Sequence, residues 1–287
     1  MKKDKVKSKK REYDTFSITM ELEKPLLYNE EDFNDLKKDK SPKGKKSKKI
    51  LKGILTLLLI STIGFFIWLS NYYAPDKDAK LALISDNSVE VIIDKNSITF
   101  TPKNLEPNKG FIFYPDMKVD SKSYSKVCKM IAQKGYRVVL VNMPLNFPLF
   151  GQNRADDIIE KYTDIDKWII GGDYIGGVTA TKYANNNLEK IDGVVLISSY
   201  PNDSYLKEVD MEVLSIWGSK DGVVNFQSLI DAKQKLPNKT TYIEIEGANH
   251  SQFANYGTHK KDEEPLIGEA EQKQKTVDSI VNFLNSI

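Results

Sequence analysis

The feature that most constrains this chain is a long run without charge. From Gly53 to Pro75 there is no Asp, Glu, Lys or Arg, and Ile54–Tyr73 (ILTLLLISTIGFFIWLSNYY) is mostly apolar. About twenty helical residues at about 1.5 Å each span roughly 30 Å, the thickness of a bilayer's hydrocarbon core. Trp68, Tyr72 and Tyr73 stand at its far end, where amphipathic rings favour the membrane interface. Lys43, Lys45, Lys46, Lys48, Lys49 and Lys52 stand just before it. Positive flanks stay on the cytoplasmic side. The pattern predicts a single-pass span over 53–75 in the cell membrane, with a cytoplasmic N-terminus and residues 76–287 outside. The basic stretch is far longer than that of a cleaved signal peptide, and no A-x-A-like pair follows the run, so the reading is an uncleaved signal-anchor. A buried helix of a soluble protein is rarely apolar on all sides for so long.

Charge divides at the same place. The net charge of +2 hides 17 Lys and Arg against 10 Asp and Glu in residues 1–52, with 25 against 30 in the remainder. Residues 1–52 bury too little apolar surface to offset chain entropy and are predicted to be disordered. Their lysines would lie against anionic lipid, which makes the bilayer the implied partner. The mildly acidic remainder shows no basic stripe, so no nucleic acid is expected. The single cysteine, Cys128, excludes an intrachain disulfide and falls in an apolar helical stripe, where a core role is expected.

Beyond residue 75 short apolar runs recur. Leu81–Ile84, Val89–Ile93 and Ile98–Phe100, separated by Asp86-Asn87 and Lys95-Asn96, read as an antiparallel entry hairpin. Phe111–Tyr114, Val138–Val141, Trp168–Ile170, Val194–Ile197, Val213–Trp217 and Tyr242–Ile245 are solid apolar runs, the mark of strands buried on both faces. Helical stripes alternate with them: Tyr124, Val127, Cys128, Ile131; then Ile158, Ile159, Tyr162; then Phe226, Leu229, Ile230; and last Val277, Ile280, Val281, Leu284. Such alternation predicts an α/β fold, one domain with a mostly parallel sheet and helices on both faces.

Chemistry in such sheets gathers at the carboxyl ends of the strands. Trp168–Ile170 leads into Gly171-Gly172-Asp173-Tyr174-Ile175-Gly176-Gly177 and then a helical stretch. This is the strand–turn–helix setting of G-x-S-x-G, whose glycines permit a tight turn and a close strand–helix approach. Val213–Trp217 ends in Gly218-Ser219-Lys220-Asp221-Gly222, and Tyr242–Ile245 in Gly247-Ala248-Asn249-His250. Glycine turn, acid, histidine is the order of a known catalytic triad. With Tyr114-Pro115, Val119-Asp120, Phe253 and Tyr256-Gly257 added, Lys109 to Ile287 resembles the α/β-hydrolase superfamily, more closely its small single-domain fold-5 type. The resemblance implies an α/β-hydrolase fold, similarity to carboxylesterases and lipases, and a small ester-like ligand; such proteins often carry an N-terminal anchor. It puts the nucleophile position at Tyr174, the acid at Asp221, the base at His250, and the oxyanion-hole region at Asp116, Met117 and Ile175. No Cys/His cluster, carboxylate constellation or phosphate loop points to a metal or nucleotide, so no cofactor is expected.

Three positions depart from that family. Tyr174 stands where it has serine, Asp173 where histidine is common, and Asp116-Met117 in a loop that is commonly glycine-rich. A phenolic oxygen lies much farther from the backbone than a serine hydroxyl, whereas oxyanion donors must sit about 2.7–3.1 Å from the developing charge. Ionised Asp116 and Asp173 would oppose that charge. The expectation is therefore a membrane-anchored extracellular pseudo-hydrolase in which Asp221 and His250 persist as a hydrogen-bonded pair. Two alternatives stand beside it. One is an active ester hydrolase using Tyr174 or another nucleophile, with His250 as base and Asp221 as its orienter. The other is a non-catalytic interaction module. Asp173 as nucleophile would leave Ile175 where the turn needs glycine. Ser198, Ser199 and Ser251 read as surface or turn serines, and His259 as exposed loop.

Overall fold

The computed structural model describes residues 43–204 and 206–287, so the predicted disorder over residues 1–42 lies outside the described residues. The chain divides into two units, residues 1–64 and 65–287. Helix α1 (Lys43–Ser70) contains a stretch, Lys46–Ser70, long and apolar enough to cross a membrane, and its Ile, Leu and Phe side chains stand exposed. It starts well before Gly53, so residues 43–52 are helical rather than disordered. Lysine is a good helix former, and extending an existing helix avoids the cost of nucleation. It also stops before Pro75. Tyr73 pairs with the domain instead: its N–H donates to Lys118 O at 2.8 Å and its carbonyl accepts from Asp120 N at 2.9 Å.

A second correction concerns Leu81–Ile84, expected as a strand. The chain forms helix α2 (Lys77–Ala82) there, capped by Asp76, whose side chain accepts from Ala79 N at 2.8 Å. Ala79 and Ala82, three apart on one helical face, are buried, while Leu81 and Ile84 face solvent. A cap plus a small buried face outweighs the β-like run.

The strands follow as β1 (Val89–Ile93), β2 (Ser97–Pro102), β3 (Lys109–Tyr114), β4 (Arg137–Val141), β5 (Lys167–Asp173), β6 (Gly193–Ile197), β7 (Glu212–Gly218) and β8 (Thr240–Ile245). They form one sheet in the order β1-β2-β4-β3-β5-β6-β7-β8. The β1/β2 and β2/β4 pairs are antiparallel and the others parallel. Helices α3 (Ser125–Ala132), α4 (Arg154–Lys161), α5 (Ile175–Asn186), α6 (Phe226–Asp231) and α7 (Glu269–Ser286) complete the alternation. Side chains divide by parity. Phe111, Phe113, Val138, Leu140 and Ile169 pack with Val127, Cys128, Ile131, Val277 and Ile280 on one face. Ile112, Tyr114, Val139 and Ile170 pack with Ile158, Ala180 and Tyr183 on the other. Burying each large apolar side chain contributes about 1.5–3 kcal/mol, which is why a sheet covered on both faces reads as solid apolar runs.

Candidate functional site

Strand β5 runs into α5 through Tyr174, whose φ of 41° and ψ of −107° are rare for a residue with a Cβ. This strain persists only where surrounding packing fixes it. The Tyr174 N–H donates to Ile197 O at 3.0 Å, and its carbonyl accepts from Ser199 Oγ at 2.6 Å. The approach of β5, α5 and the loop after β3 leaves no room for side chains. A Cβ on Gly172 would stand 2.4 Å from Tyr114 O, and one on Gly176 2.2 Å from the same oxygen. The glycines are therefore steric requirements of a sharp turn that lifts residue 174 above the sheet.

Asp221 and His250 meet beside that turn. His250 Nδ1 lies 3.0 Å from Asp221 Oδ2, with both side chains buried. Asp221 Oδ1 accepts from Val223 N at 2.9 Å and Val224 N at 2.8 Å, which fixes the carboxylate. The His250 loop is held from behind by Asp262, whose carboxylate accepts from the N–H groups of His250, Ser251 and Gly222. From α7, Gln272 exchanges two hydrogen bonds with the Asn249 backbone, and buried Lys273 donates to the carbonyls of Gln252 and Ala254. The Tyr174 ring stands edge-on to the His250 imidazole, centroids 5.7 Å apart. It packs against a small cluster of Trp217, Val224 and Leu229.

The region that the family resemblance leads one to expect as an oxyanion hole holds a carboxyl group of its own. The Ile175 N–H donates to Asp116 Oδ1 at 3.1 Å, and the Met117 N–H also lies against that carboxyl. The Asp116 N–H donates to the Tyr124 hydroxyl at 3.2 Å, and that hydroxyl donates to Asp173 Oδ2 at 2.8 Å. Asp173 Oδ1 is buried without a hydrogen-bond partner among the described residues. Three carboxylates thus surround one imidazole.

The electrostatic outcome follows. Burial and the neighbouring Asp173 charge push Asp116 up to about 7, against the pull of His250 and the two N–H groups. Burial likewise pushes Asp173 up to about 6. For His250 burial alone would lower the pKa, but Asp173, Asp221 and Asp116 overcome it and raise it to about 10. Burial would raise Asp221 too, yet its bond to His250 holds it below the ordinary carboxylate value. Burial keeps the Tyr174 phenol above its ordinary value. The neighbouring carboxyl groups thus favour the imidazolium form of His250, which has no lone pair with which to accept a proton.

Several residues stand differently from expectation. Ser198, Ser199 and Ser251 are buried rather than at the surface. Ser198 lies close enough to Asp221 to lower its pKa without a well-formed hydrogen bond, and Ser251 Oγ donates to Asp262 at 2.6 Å. None occupies the exposed turn. His259 is half-buried, its ring 5.2 Å from that of Tyr73 and 6.1 Å from that of His250. Tyr124, read as part of an apolar stripe, brings its hydroxyl into the site.

The model of the alpha/beta hydrolase family matches residues 110–274, and the chain belongs to that family. The fold is shared with the dienelactone hydrolase of Anabaena variabilis at 15% identity, over 68% of this chain and 99% of that one, TM-score 0.53. A Pyrobaculum calidifontis esterase is similar at 15% identity, over 72% of this chain and 88% of that one, TM-score 0.53. Carboxyl esterase 2 of Tuber melanosporum is similar at 12% identity, over 75% of this chain and 91% of that one, TM-score 0.53. No curated protein matches the chain in sequence.

Proposed function

We propose that this chain is a membrane-anchored, extracellular pseudo-hydrolase, a family member whose ester chemistry is shut off at the nucleophile turn. The observation that carries the reading is the 3.1 Å hydrogen bond from the Ile175 N–H to the Asp116 carboxylate. An oxyanion hole works by offering unfilled donors to charge that develops in the transition state; here the donor already serves a resident anion. Tyr174 offers no serine oxygen near that donor, and a protonated His250 cannot take a proton from any nucleophile. Asp221 and His250 then serve to hold two loops together. The anchor is supported by the exposed apolar helix α1 and its lysine-rich entry, which favour a cytoplasmic N-terminus.

The contact between Tyr174 and His250 favours a second reading, an active ester hydrolase attacking through the phenol with a small ester-like ligand. The raised phenol and imidazole pKa values weigh against it. Hydrolysis of short-chain chromogenic esters by the full chain in proteoliposomes, beside His250→Ala, tests the choice. Equal, background rates are expected; turnover lost on His250→Ala would establish the second reading. The anchor is tested by washing the same vesicles at high salt and alkaline pH. The chain is expected to stay with the bilayer, and release into the wash would contradict the anchor.

A further inference from the structure

Two features meet where α1 ends, outside Tyr174, Asp221 and His250, with His259 standing between the second of them and the His250 ring. The first is the loop Pro144–Gly151 between β4 and α4. Leu145 and Asn146 adopt left-handed backbone there, at φ 57° each. The loop leaves Leu145, Leu149 and Phe150 more than half exposed, Phe150 by 65%. Phe147 stacks on Phe150, centroids 5.7 Å apart, and reaches the ring of Trp68 in the last turn of α1 at 5.5 Å. Contiguous exposed apolar surface of this kind marks an interaction site.

The second feature is a cavity of about 490 Å³ lined by Trp68, Tyr72, Lys118, His259, Lys260 and Lys261. The Lys118 ammonium stands 4.5 Å over the Trp68 ring, a cation–π contact that joins the cavity to the aromatic loop. Among the described residues none of these three lysines has a carboxylate within ion-pair distance. That concentration of uncompensated cations lies in a part of the chain that is acidic overall, 25 Lys and Arg against 30 Asp and Glu after residue 52.

We infer that this surface faces lipid: the loop's apolar tips enter the interfacial layer, and the cavity takes the phosphate of an anionic lipid headgroup. Amphipathic rings, exposed apolar tips and unpaired lysines are the composition that binds an anionic bilayer surface. Trp68 touches both the loop and Lys118, so headgroups at the end of the span lie within reach of both. The inference rests on the anchor reading proposed above. It adds that the domain is held against the bilayer rather than tethered free of it.

Amide hydrogen exchange on the full chain tests this, in phosphatidylcholine nanodiscs with and without phosphatidylglycerol, and in phosphatidylcholine discs with inorganic phosphate in solution. Amides of residues 144–151 and 258–262 are expected to exchange about tenfold more slowly in the phosphatidylglycerol discs. Lys260→Glu/Lys261→Glu should abolish the slowing at 258–262, and Phe150→Ser should abolish it at 144–151. Both changes lie at exposed positions, which keeps misfolding from mimicking the result. Equal exchange in all discs, with the chain retained through a salt wash, overturns the lipid surface alone. Slowing reproduced by inorganic phosphate overturns it in favour of a soluble anion. A chain that washes out of the discs overturns the anchor reading, and this inference with it.

Discussion

The Ile175 amide and the Asp116 carboxylate are 3.1 Å apart, and that bond ties the loop after β3 to the first residue of α5. Asp116 titrates near neutrality, pushed up to about 7 by burial and by Asp173. The Ile175 amide proton should therefore move downfield as pH rises through that region, following ionisation of its acceptor. In Asp116→Ala the movement should vanish. An Ile175 shift independent of pH, or unchanged by the substitution, would separate the two groups.

The chain has two histidines, with opposite expected behaviour. His250 is raised to about 10 by the Asp173, Asp221 and Asp116 charges against the effect of burial, whereas burial and the charge of His250 lower His259. Nitrogen NMR of the imidazoles should show His250 still protonated at pH values where His259 is fully neutral. Replacing Asp173 with Asn removes the largest favourable charge and should bring the His250 midpoint down.

Stability should depend on pH through the same cluster. Asp116, Asp173 and His250 all have folded pKa values raised above their ordinary ones, so the native state keeps protons that the unfolded chain has lost. Their stabilising contribution is complete below the unfolded carboxylate value of 3.8. It falls as pH rises through about 6 and 7, and again toward about 10. Asp221, held low, works in the opposite sense only on the acid side. Thermal unfolding of the full chain should accordingly give a lower Tm on the alkaline side of neutrality. Asp116→Asn/Asp173→Asn should flatten that decline, and an unchanged slope would contradict the account.

The turn itself makes a steric prediction. Gly176→Ala places a methyl carbon 2.2 Å from Tyr114 O, so backbone must shift, at about 3 kcal/mol or more. Gly268→Ala, with open space around it, should cost under about 1 kcal/mol. Denaturant midpoints of the two variants compare them directly.

Most of the fold was legible in the sequence because burial on both faces writes strands as apolar runs, and such runs coincide with β3 through β7, whereas the edge strand β8 is only partly buried and carries Glu244 within its run. The glycine turn was legible because close backbone approach excludes side chains at Gly172 and Gly176. Helix α2 was not: it is six residues long, too short to show a helical period, and its exposed Leu81 and Ile84 mimic a strand. Tyr124, Asp262 and His259 were missed for a different reason. Their roles arise where loops from distant parts of the chain converge, and Tyr124 is as apolar in pattern as its neighbours until its hydroxyl meets Asp173.

The proposed silencing of the site comes from departures at three positions, Asp116, Asp173 and Tyr174, rather than from loss of the shell. It is tested most directly by ester hydrolysis with the native chain beside Asp116→Gly/Asp173→His/Tyr174→Ser. The triple substitution empties the Ile175 donor, removes two of the charges that hold His250 protonated, and supplies a serine oxygen at the turn. The native chain is predicted to stay at background while the triple variant turns over, with the gain lost on adding His250→Ala. Turnover by the native chain that depends on His250 would contradict the claim.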